Sequence, residues 1–139
     1  MDAGTVQGGC LCGRVRFALQ LPTLFCGHCH CSMCRRAHGA GVVTWTAVRR
    51  EQLEVLAGEE LLRRYRSSDH GTRSFCRICG SQLFCESSGH PETVDVTLAS
   101  LDGPIDRSPQ LHVYHTDRVE WLTLGDDLPR LPAGVGEDS

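Results

Sequence analysis

The stretch Cys10-Leu-Cys-Gly-Arg-Val-Arg-Phe17 places two cysteines directly before an alternating apolar segment, and it is one of three cysteine groups that decide the fold. The other two groups are Cys29-His-Cys-Ser-Met-Cys34 and Cys76-Arg-Ile-Cys-Gly80. Seven of the nine cysteines in this 139-residue chain lie in these groups. Cysteines in C-x-C and C-x-x-C spacing can direct two sulfurs at one point, as a tetrahedral zinc ion requires. The sequence therefore predicts a metal protein whose clustered cysteines divide into a set of four and a set of three.

A disulfide framework is the alternative interpretation of these cysteines, and an oxidising compartment would favour it. Segment 1–9 is short, polar and glycine-rich, and it lacks the basic region and apolar core of a secretory signal. We therefore expect a cytoplasmic protein, because reduced, clustered thiols in the cytoplasm are more often metal ligands or catalysts.

Length and charge exclude several classes of protein. A chain of 139 residues suits one domain with one core, and its apolar runs are far shorter than the ~18 residues that suggest a membrane span. A net charge of −3 gives no general attraction to nucleic acid. The arginine pairs are interpreted as solvated surface: Arg35-Arg36, Arg49-Arg50 and Arg63-Arg64. We expect a monomer or homodimer with neither a nucleic-acid nor a membrane partner.

Short segments typical of strands recur along the chain. Val15, Phe17 and Leu19 alternate with polar residues, which is the period of a strand with one buried face. Further runs are rich in β-branched or aromatic residues and are separated by turn residues: 41–46, 94–98, 111–114 and 119–124. Segment 47–65 is interpreted as two short strands with a turn, since Gly58 interrupts any helix there. The sequence predicts a mainly β fold.

The set of four cysteines is expected to be structural. Cys10 and Cys12 would meet Cys76 and Cys79 in a closed site of four thiolates, and Gly80 can supply the positive φ that such a turn often needs. A metal ion there would cross-link segments that are distant in the sequence, so it would stabilise the fold and take no part in chemistry.

The set of three cysteines is where catalysis is expected. Cys29, Cys31 and Cys34 leave a tetrahedral ion one ligand short, and an open position distinguishes catalytic from structural zinc. Water or a substrate thiol can fill that position, or a local side chain can close the site: Cys26, His28 or His30. Closure by a side chain would make the set a second structural site. Cys85 is interpreted as a small buried hydrophobe.

The histidines and Trp121 have structural interpretations. His30 lies between two ligands, but alternation along an extended segment would turn its side chain away from the metal. His112 and His115 are interpreted as satisfied structural histidines, and Trp121 as a core residue.

The motifs together resemble a known family. Gly8-Gly-Cys-Leu-Cys-Gly-Arg-Val-Arg-Phe17, Cys29-His-Cys-Ser-Met-Cys-Arg-Arg36 with Gly39, Phe75-Cys-Arg-Ile-Cys-Gly80 and the tail 112–121 are similar in order and spacing to the glutathione-dependent formaldehyde-activating enzyme (GFA) family, also called the centromere protein V family. The resemblance implies a single β-tent domain stapled by zinc. Residues 1–7 would form an N-terminal tail, residues 8–129 the GFA-type zinc-binding domain, and residues 130–139 a flexible C-terminal tail.

The resemblance also implies two Zn²⁺ ions per chain and a reaction. By the family pattern, Cys10, Cys12, Cys76 and Cys79 hold the structural ion, and Cys29, Cys31 and Cys34 hold the catalytic one. The implied activity is that of S-(hydroxymethyl)glutathione synthase, a carbon-sulfur lyase that joins formaldehyde and glutathione reversibly and serves formaldehyde detoxification. The chemistry suits the site, because contact with Zn²⁺ converts a thiol to the nucleophilic thiolate.

Glutathione carries two carboxylates, so a groove that binds it is expected to contain cations. Arg35 is the first substrate-binding candidate because it directly follows the ligand Cys34. Arg36 and Arg73 are further candidates.

Two other classes of function are open at this point. The first is a non-catalytic zinc-binding interaction module, since a shared fold does not fix chemistry. The second is a thiol redox protein that uses Cys26 or Cys85 with one of the clustered thiols.

Overall fold

Ten strands and one short helix build the fold in the computed structural model, which describes residues 4–135. The strands are β1 (Thr5–Gly9), β2 (Arg16–Gln20), β3 (Phe25–Cys29), β4 (Val43–Arg49), β5 (Leu53–Ala57), β6 (Leu62–Arg66), β7 (Gly71–Cys76), β8 (Gln82–Ser87), β9 (Thr93–Thr97) and β10 (His112–Val113). The helix is α1 (Ser32–His38), and short 3-10 turns occur at Arg50–Gln52, Glu59–Leu61, Leu98–Ser100 and His115–Asp117. The prediction of a mainly β fold is confirmed. Within residues 4–135, no helix has the length and hydropathy that crossing a membrane demands.

The strands divide between a small and a large sheet. The small sheet has the order β1-β2-β5 and is antiparallel. The large sheet has the order β10-β3-β4-β9-β8-β7-β6, and its only parallel neighbours among the described strands are β10 and β3. Segment 47–65 contains two short strands joined by a turn, as predicted, but β5 joins the small sheet and β6 forms an edge of the large one.

The main core lies between the sheets. Val15, Phe17 and Leu19 have no exposed area, which confirms the alternation predicted for this segment. They belong to one cluster with Phe84 and Val96 of the large sheet. The rings of Phe17 and Phe84 meet edge to face, with centroids 5.0 Å apart. Burial of these apolar side chains is the main source of stability for the pair of sheets.

Cross-strand register assigns Cys26 to the core face of the large sheet. Cys26 pairs with Thr46, Thr46 with Val96, and Val96 with Phe84. Residues that pair directly across antiparallel strands point to the same face. The thiol of Cys26, which has no exposed area, therefore packs in the core.

The adjacent row of paired residues faces away from the core. This row runs across five strands and consists of Phe25, Ala47, Asp95, Cys85 and Arg73. Cys29 lies on the same face as Phe25, because it is four residues further along β3. Helix α1 contacts β4 on the large sheet, and its residue Cys34 is buried in the second cluster with Cys29 and Trp45.

The prediction of a strand at 119–124 and of a buried Trp121 is wrong. Residues 129–133 pair with β10 instead: His112 donates its N–H to the carbonyl of Pro129 at 2.8 Å, and Leu131 donates to the carbonyl of His112 at 2.9 Å. The edge of the large sheet at β10 is therefore occupied, and segment 119–124 forms an irregular loop. Trp121 is 75% exposed.

Regular structure extends beyond the limits 8–129 predicted for the domain. Strand β1 begins at Thr5, so part of the predicted tail 1–7 pairs with β2, and Val6 is buried in the core. In the predicted tail 130–139, the carbonyl of Ala133 accepts the N–H of Tyr114 at 3.1 Å. These backbone pairs bury apolar side chains that the sequence interpretation assigned to tails. Residues 1–3 and 136–139 of the predicted tails lie outside the described residues.

Candidate metal centres and an adjoining cavity

The four cysteines predicted to be structural come together between the sheets. Cys10 and Cys12 lie in the turn after β1, whereas Cys76 ends β7 and Cys79 lies in the turn before β8. Their sulfurs all lie within 4.8 Å of one another. Gly80 has a φ of +77° and donates its N–H to the carbonyl of Cys76 at 2.7 Å, which gives the tight turn that was expected. The group connects the small sheet to the large one.

The donors of this group suit a zinc ion. Four sulfurs within 4.8 Å of one another can each lie about 2.3 Å from one tetrahedral ion. Neighbouring groups favour the thiolate form that a metal requires. Val15 donates its N–H to the sulfur of Cys10 at 3.3 Å, and the hydroxyl of Ser81, 3.2 Å from the sulfur of Cys79, lowers the pKa of that thiol. All nine cysteines are free thiols.

The three cysteines of the second group occupy a strand end and a helix start. Cys29 is the last residue of β3, Cys31 is the N-cap of α1, and Cys34 lies in its first turn. The sulfur of Cys31 accepts the N–H of Cys34 at 3.3 Å. The three sulfurs lie within 4.8 Å of one another, and Cys29 and Cys34 are buried. Three convergent thiols of this kind can hold a zinc ion.

The sequence interpretation did not predict helix α1. It treated the region after Cys29 as extended, although Arg35, Arg36 and His38 followed by Gly39 are a usual signal for a helix C-terminus. Gly39 takes a φ of +62° and donates its N–H to the carbonyl of Arg35. At seven residues, the helix is too short to show a clear apolar period. Its first turn is what returns Cys34 to the other two sulfurs.

The local side chains considered as a fourth ligand lie elsewhere in the part of the chain that the structure describes. Cys26 packs in the core, on the opposite face of β3. Nδ1 of His28 lies 2.8 Å from the hydroxyl of Thr44, and Nε2 of His30 lies 2.8 Å from His112. The group of possible ligands therefore consists of three thiols.

A chain of hydrogen bonds that runs through buried His112 to exposed Asp126 fixes His30. Nε2 of His112 lies 3.0 Å from both carboxylate oxygens of Asp126. Because the carboxylate accepts, His112 donates from Nε2 and uses Nδ1 to accept the Nε2–H of His30. His30 is 2% exposed and is turned toward this chain, as the alternation predicted. Burial, and then the nearby His112 and His115, lower the pKa of His30 to about 4.

Arg73 contacts the group of three thiols from β7. It is 5% exposed, and its Nη2 donates to the sulfur of Cys34 at 3.5 Å. Hydrogen bonds from the thiols of Cys29 and Cys31, and then from Arg73, lower the pKa of Cys34. Cys85 on β8 pairs with Arg73 across the strands, and burial raises the pKa of its thiol to about 11. A thiolate at Cys34 would therefore lie against the guanidinium of Arg73.

A cavity of about 610 Å³ shares Arg73 as a wall with the three thiols. Its other walls come from α1 and β6 and include Arg36, Arg63, Arg64 and Tyr65. Among the described residues, four arginines and no carboxylate line it, and its volume is that of a small-molecule site. Arg35, the first substrate-binding candidate from the sequence, is not among the lining residues, and its buried Nε has no acceptor in the described chain.

Comparisons with known proteins find related sequences and a similar fold. A family model described as "Glutathione-dependent formaldehyde-activating enzyme" matches residues 5–117. A protein of Halomonas elongata named "Putative glutathione-dependent formaldehyde-activating enzyme" is 27% identical over 142 residues, which cover 96% of this chain and 90% of that protein. A crystal structure of a Rhodobacter sphaeroides protein matches with a TM-score of 0.61 and 32% identity, over 73% of this chain and 92% of the other.

The two cysteine groups should differ in the effect of losing a ligand. Zinc-loaded protein is expected to contain two ions per chain, and a chelator should first remove the ion on three thiols, which has fewer protein ligands. Cys29→Ser should lose one ion and still unfold cooperatively. Cys76→Ser should lose the other ion and unfold at a much lower temperature, because it breaks the link between the sheets. Elemental analysis and thermal unfolding measure both effects.

The matched control is Cys26→Ala, which should keep both ions because Cys26 lies on the core face. Equal thermal stability of Cys76→Ser and Cys29→Ser would contradict the assignment of the two groups.

Stability should fall as the pH is lowered from about 6.5 to about 4. The pKa of His30 is lowered from 6.5 to about 4 in the folded protein, so the unfolded chain binds more protons in this window. His30 alone contributes at most about 1.4 kcal/mol per pH unit to the slope. His30→Asn should flatten the dependence of the unfolding free energy on pH, measured by urea denaturation. The exposed His90→Asn should keep the slope of the original protein, and an unchanged slope in His30→Asn would refute this explanation.

Proposed function

This chain belongs to the family of glutathione-dependent formaldehyde-activating enzymes, and we propose that it is a zinc-dependent enzyme of the carbon-sulfur lyase type. Its substrates would be glutathione or a related thiol and a small aldehyde such as formaldehyde, as for S-(hydroxymethyl)glutathione synthase. The proposed biological role is formaldehyde detoxification in the cytoplasm, where the cysteines stay reduced.

One observation carries this proposal: a group of three thiols, not four, adjoins a cationic cavity through Arg73. A tetrahedral ion held by Cys29, Cys31 and Cys34 has one position for an exogenous ligand, as in catalytic zinc sites. The cavity can accommodate the body of a peptide-like thiol beside that position. Cys10, Cys12, Cys76 and Cys79 would hold the second ion, which we propose to be structural.

The proposed reaction is the addition of a thiol to an aldehyde. The sulfur forms a bond to the carbonyl carbon, the carbonyl π electrons move to oxygen, and that oxygen takes up the proton that the thiol loses. Bound zinc would supply Lewis acidity, which favours thiolate over thiol and polarises a carbonyl group. The reverse sequence cleaves the same carbon-sulfur bond.

The protein's own residues provide position and charge for this step. Cys31 and Cys34 are fixed on one turn of α1, and Cys29 is fixed by the pairing of β3 with β4. The contact of Arg73 with Cys34 offsets the negative charge of the thiolates. The hydrogen bond to His112 holds the side chain of His30 away from the three cysteine sulfurs.

Zinc-loaded protein should accelerate the exchange between free glutathione and its formaldehyde adduct above the uncatalysed rate. NMR exchange spectroscopy measures both rates at equilibrium, which separates catalysis from the spontaneous reaction. Cys34→Ser should abolish the acceleration because it removes a ligand, whereas Cys26→Ala should retain it. If the exchange is no faster with the protein than without it, the proposed reaction is wrong.

Arg35 and Arg36 are proposed to contact the carboxylates of the thiol substrate. Arg36 lines the cavity, and Arg35 has a buried Nε without an acceptor in the described chain. Replacing either by Gln should raise the KM for glutathione about three- to tenfold, with kcat changed much less, because a charge-assisted hydrogen bond is lost. The exposed Arg14→Gln is the control. Unchanged KM in both variants would contradict this assignment.

A further inference from the structure

Arg73 has donors that the protein does not use. Its guanidinium carries five N–H groups, and the structure shows one acceptor, the sulfur of Cys34. Nε and Nη1 are buried and have no acceptor within residues 4–135. Leaving charged donors buried and unpaired is costly, because their lost hydration is not replaced. Side chains of this kind are usually satisfied by a ligand or by ordered water.

The surroundings of these donors favour an anionic ligand. Arg73 lines the cationic cavity, and it forms no ion pair with any carboxylate in the described chain. Of the other arginines on the walls, Arg64 pairs with Glu86 at 3.3 Å, while Arg36 and Arg63 have no ion pair in the same part of the chain. The cavity therefore has an excess of positive charge, and Arg73 is the most buried part of it.

We propose that Arg73 is the residue that selects the thiol substrate, by binding a carboxylate of that substrate while it holds Cys34. The inference rests on the proposed function and deepens it: Arg73 would bind the glycine carboxylate of glutathione, the nearer of its two carboxylates to the sulfur, or the corresponding carboxylate of a related thiol. A planar guanidinium can bind a carboxylate through two parallel N–H groups, so it fixes orientation as well as charge. Because the same group touches Cys34, the carboxylate and the sulfur of the substrate would be placed at the three thiols together.

A purely structural role is the competing explanation for Arg73. The guanidinium would then only offset the charge of the thiolates, and ordered water would satisfy Nε and Nη1. Such a role predicts that a thiol with this carboxylate and one without it bind equally well. Binding selectivity therefore separates the two explanations.

The test compares two thiols that differ at one carboxylate, glutathione and its glycine ethyl ester, in which that carboxylate is replaced by a neutral ester. Calorimetric titration of the zinc-loaded protein should give a Kd at least about tenfold lower for glutathione than for the ester, since a bidentate charged pair is strong. Arg73→Gln should remove this preference, Arg73→Lys should restore part of it, and the exposed Arg14→Gln should keep it. The zinc content of each variant is measured alongside, so that loss of the ion is recognised directly.

Equal affinity of the unmodified protein for the two thiols would overturn the inference, whatever the stability of the variants. A preference that survives in zinc-loaded Arg73→Gln would overturn it as well. The titration contains no aldehyde, so its result is independent of the exchange assay. A protein that prefers the carboxylate but does not accelerate exchange would refute the proposed reaction and leave the role of Arg73 intact.

Discussion

The alternation of side chains across the large sheet is the constraint on which both the core and the site depend. Cys26 and Cys29 lie three residues apart on β3, so their thiols point to opposite faces. Cys26 is buried on the core face, in the row of paired residues that continues through Thr46 to Val96, whereas Cys29 meets Cys31 and Cys34 on the other side. One strand therefore contributes to the core and to the three-thiol group without either interfering with the other.

A second consequence of this arrangement is electrostatic. Three neighbouring thiols in a mostly buried position favour a metal ion, and they also require that any residual negative charge be offset. Arg73 meets that requirement from β7, on the same face as Cys85 and Asp95. Its remaining donors are buried, and Arg73 lines a cavity that has no acidic residue among its described walls. The charge that stabilises the ligands also makes the adjoining space attractive to anions, so the metal group and the cavity are coupled through one side chain.

Local patterns in the sequence predicted the local parts of this structure. The spacing of the cysteines within each motif indicated which sulfurs can share a turn, and the alternation at Val15, Phe17 and Leu19 indicated the buried strand of the small sheet. Trp121 was assigned to the core because its β-branched neighbours favour an extended backbone. A side chain in such a segment is buried only if the segment can pair with a free edge of the sheet, and this edge is occupied. Arg73 was ranked below Arg35 for a similar reason. It is 39 residues from Cys34, and only the pairing of β7 with β8 and β9 brings it to the site.

The sulfur of Cys31 also caps helix α1, and this double use affects how the site can be filled. The hydrogen bond from the N–H of Cys34 to the sulfur of Cys31 and the αL turn at Gly39 define the ligand loop. The Asp126–His112–His30 chain braces the same loop from the C-terminal segment. A ligand loop that the fold holds in place loses little conformational entropy when it binds a metal ion. The affinity of the three thiols for a metal ion is therefore expected to depend on His112 and Asp126, which lie far from the cysteines in the sequence.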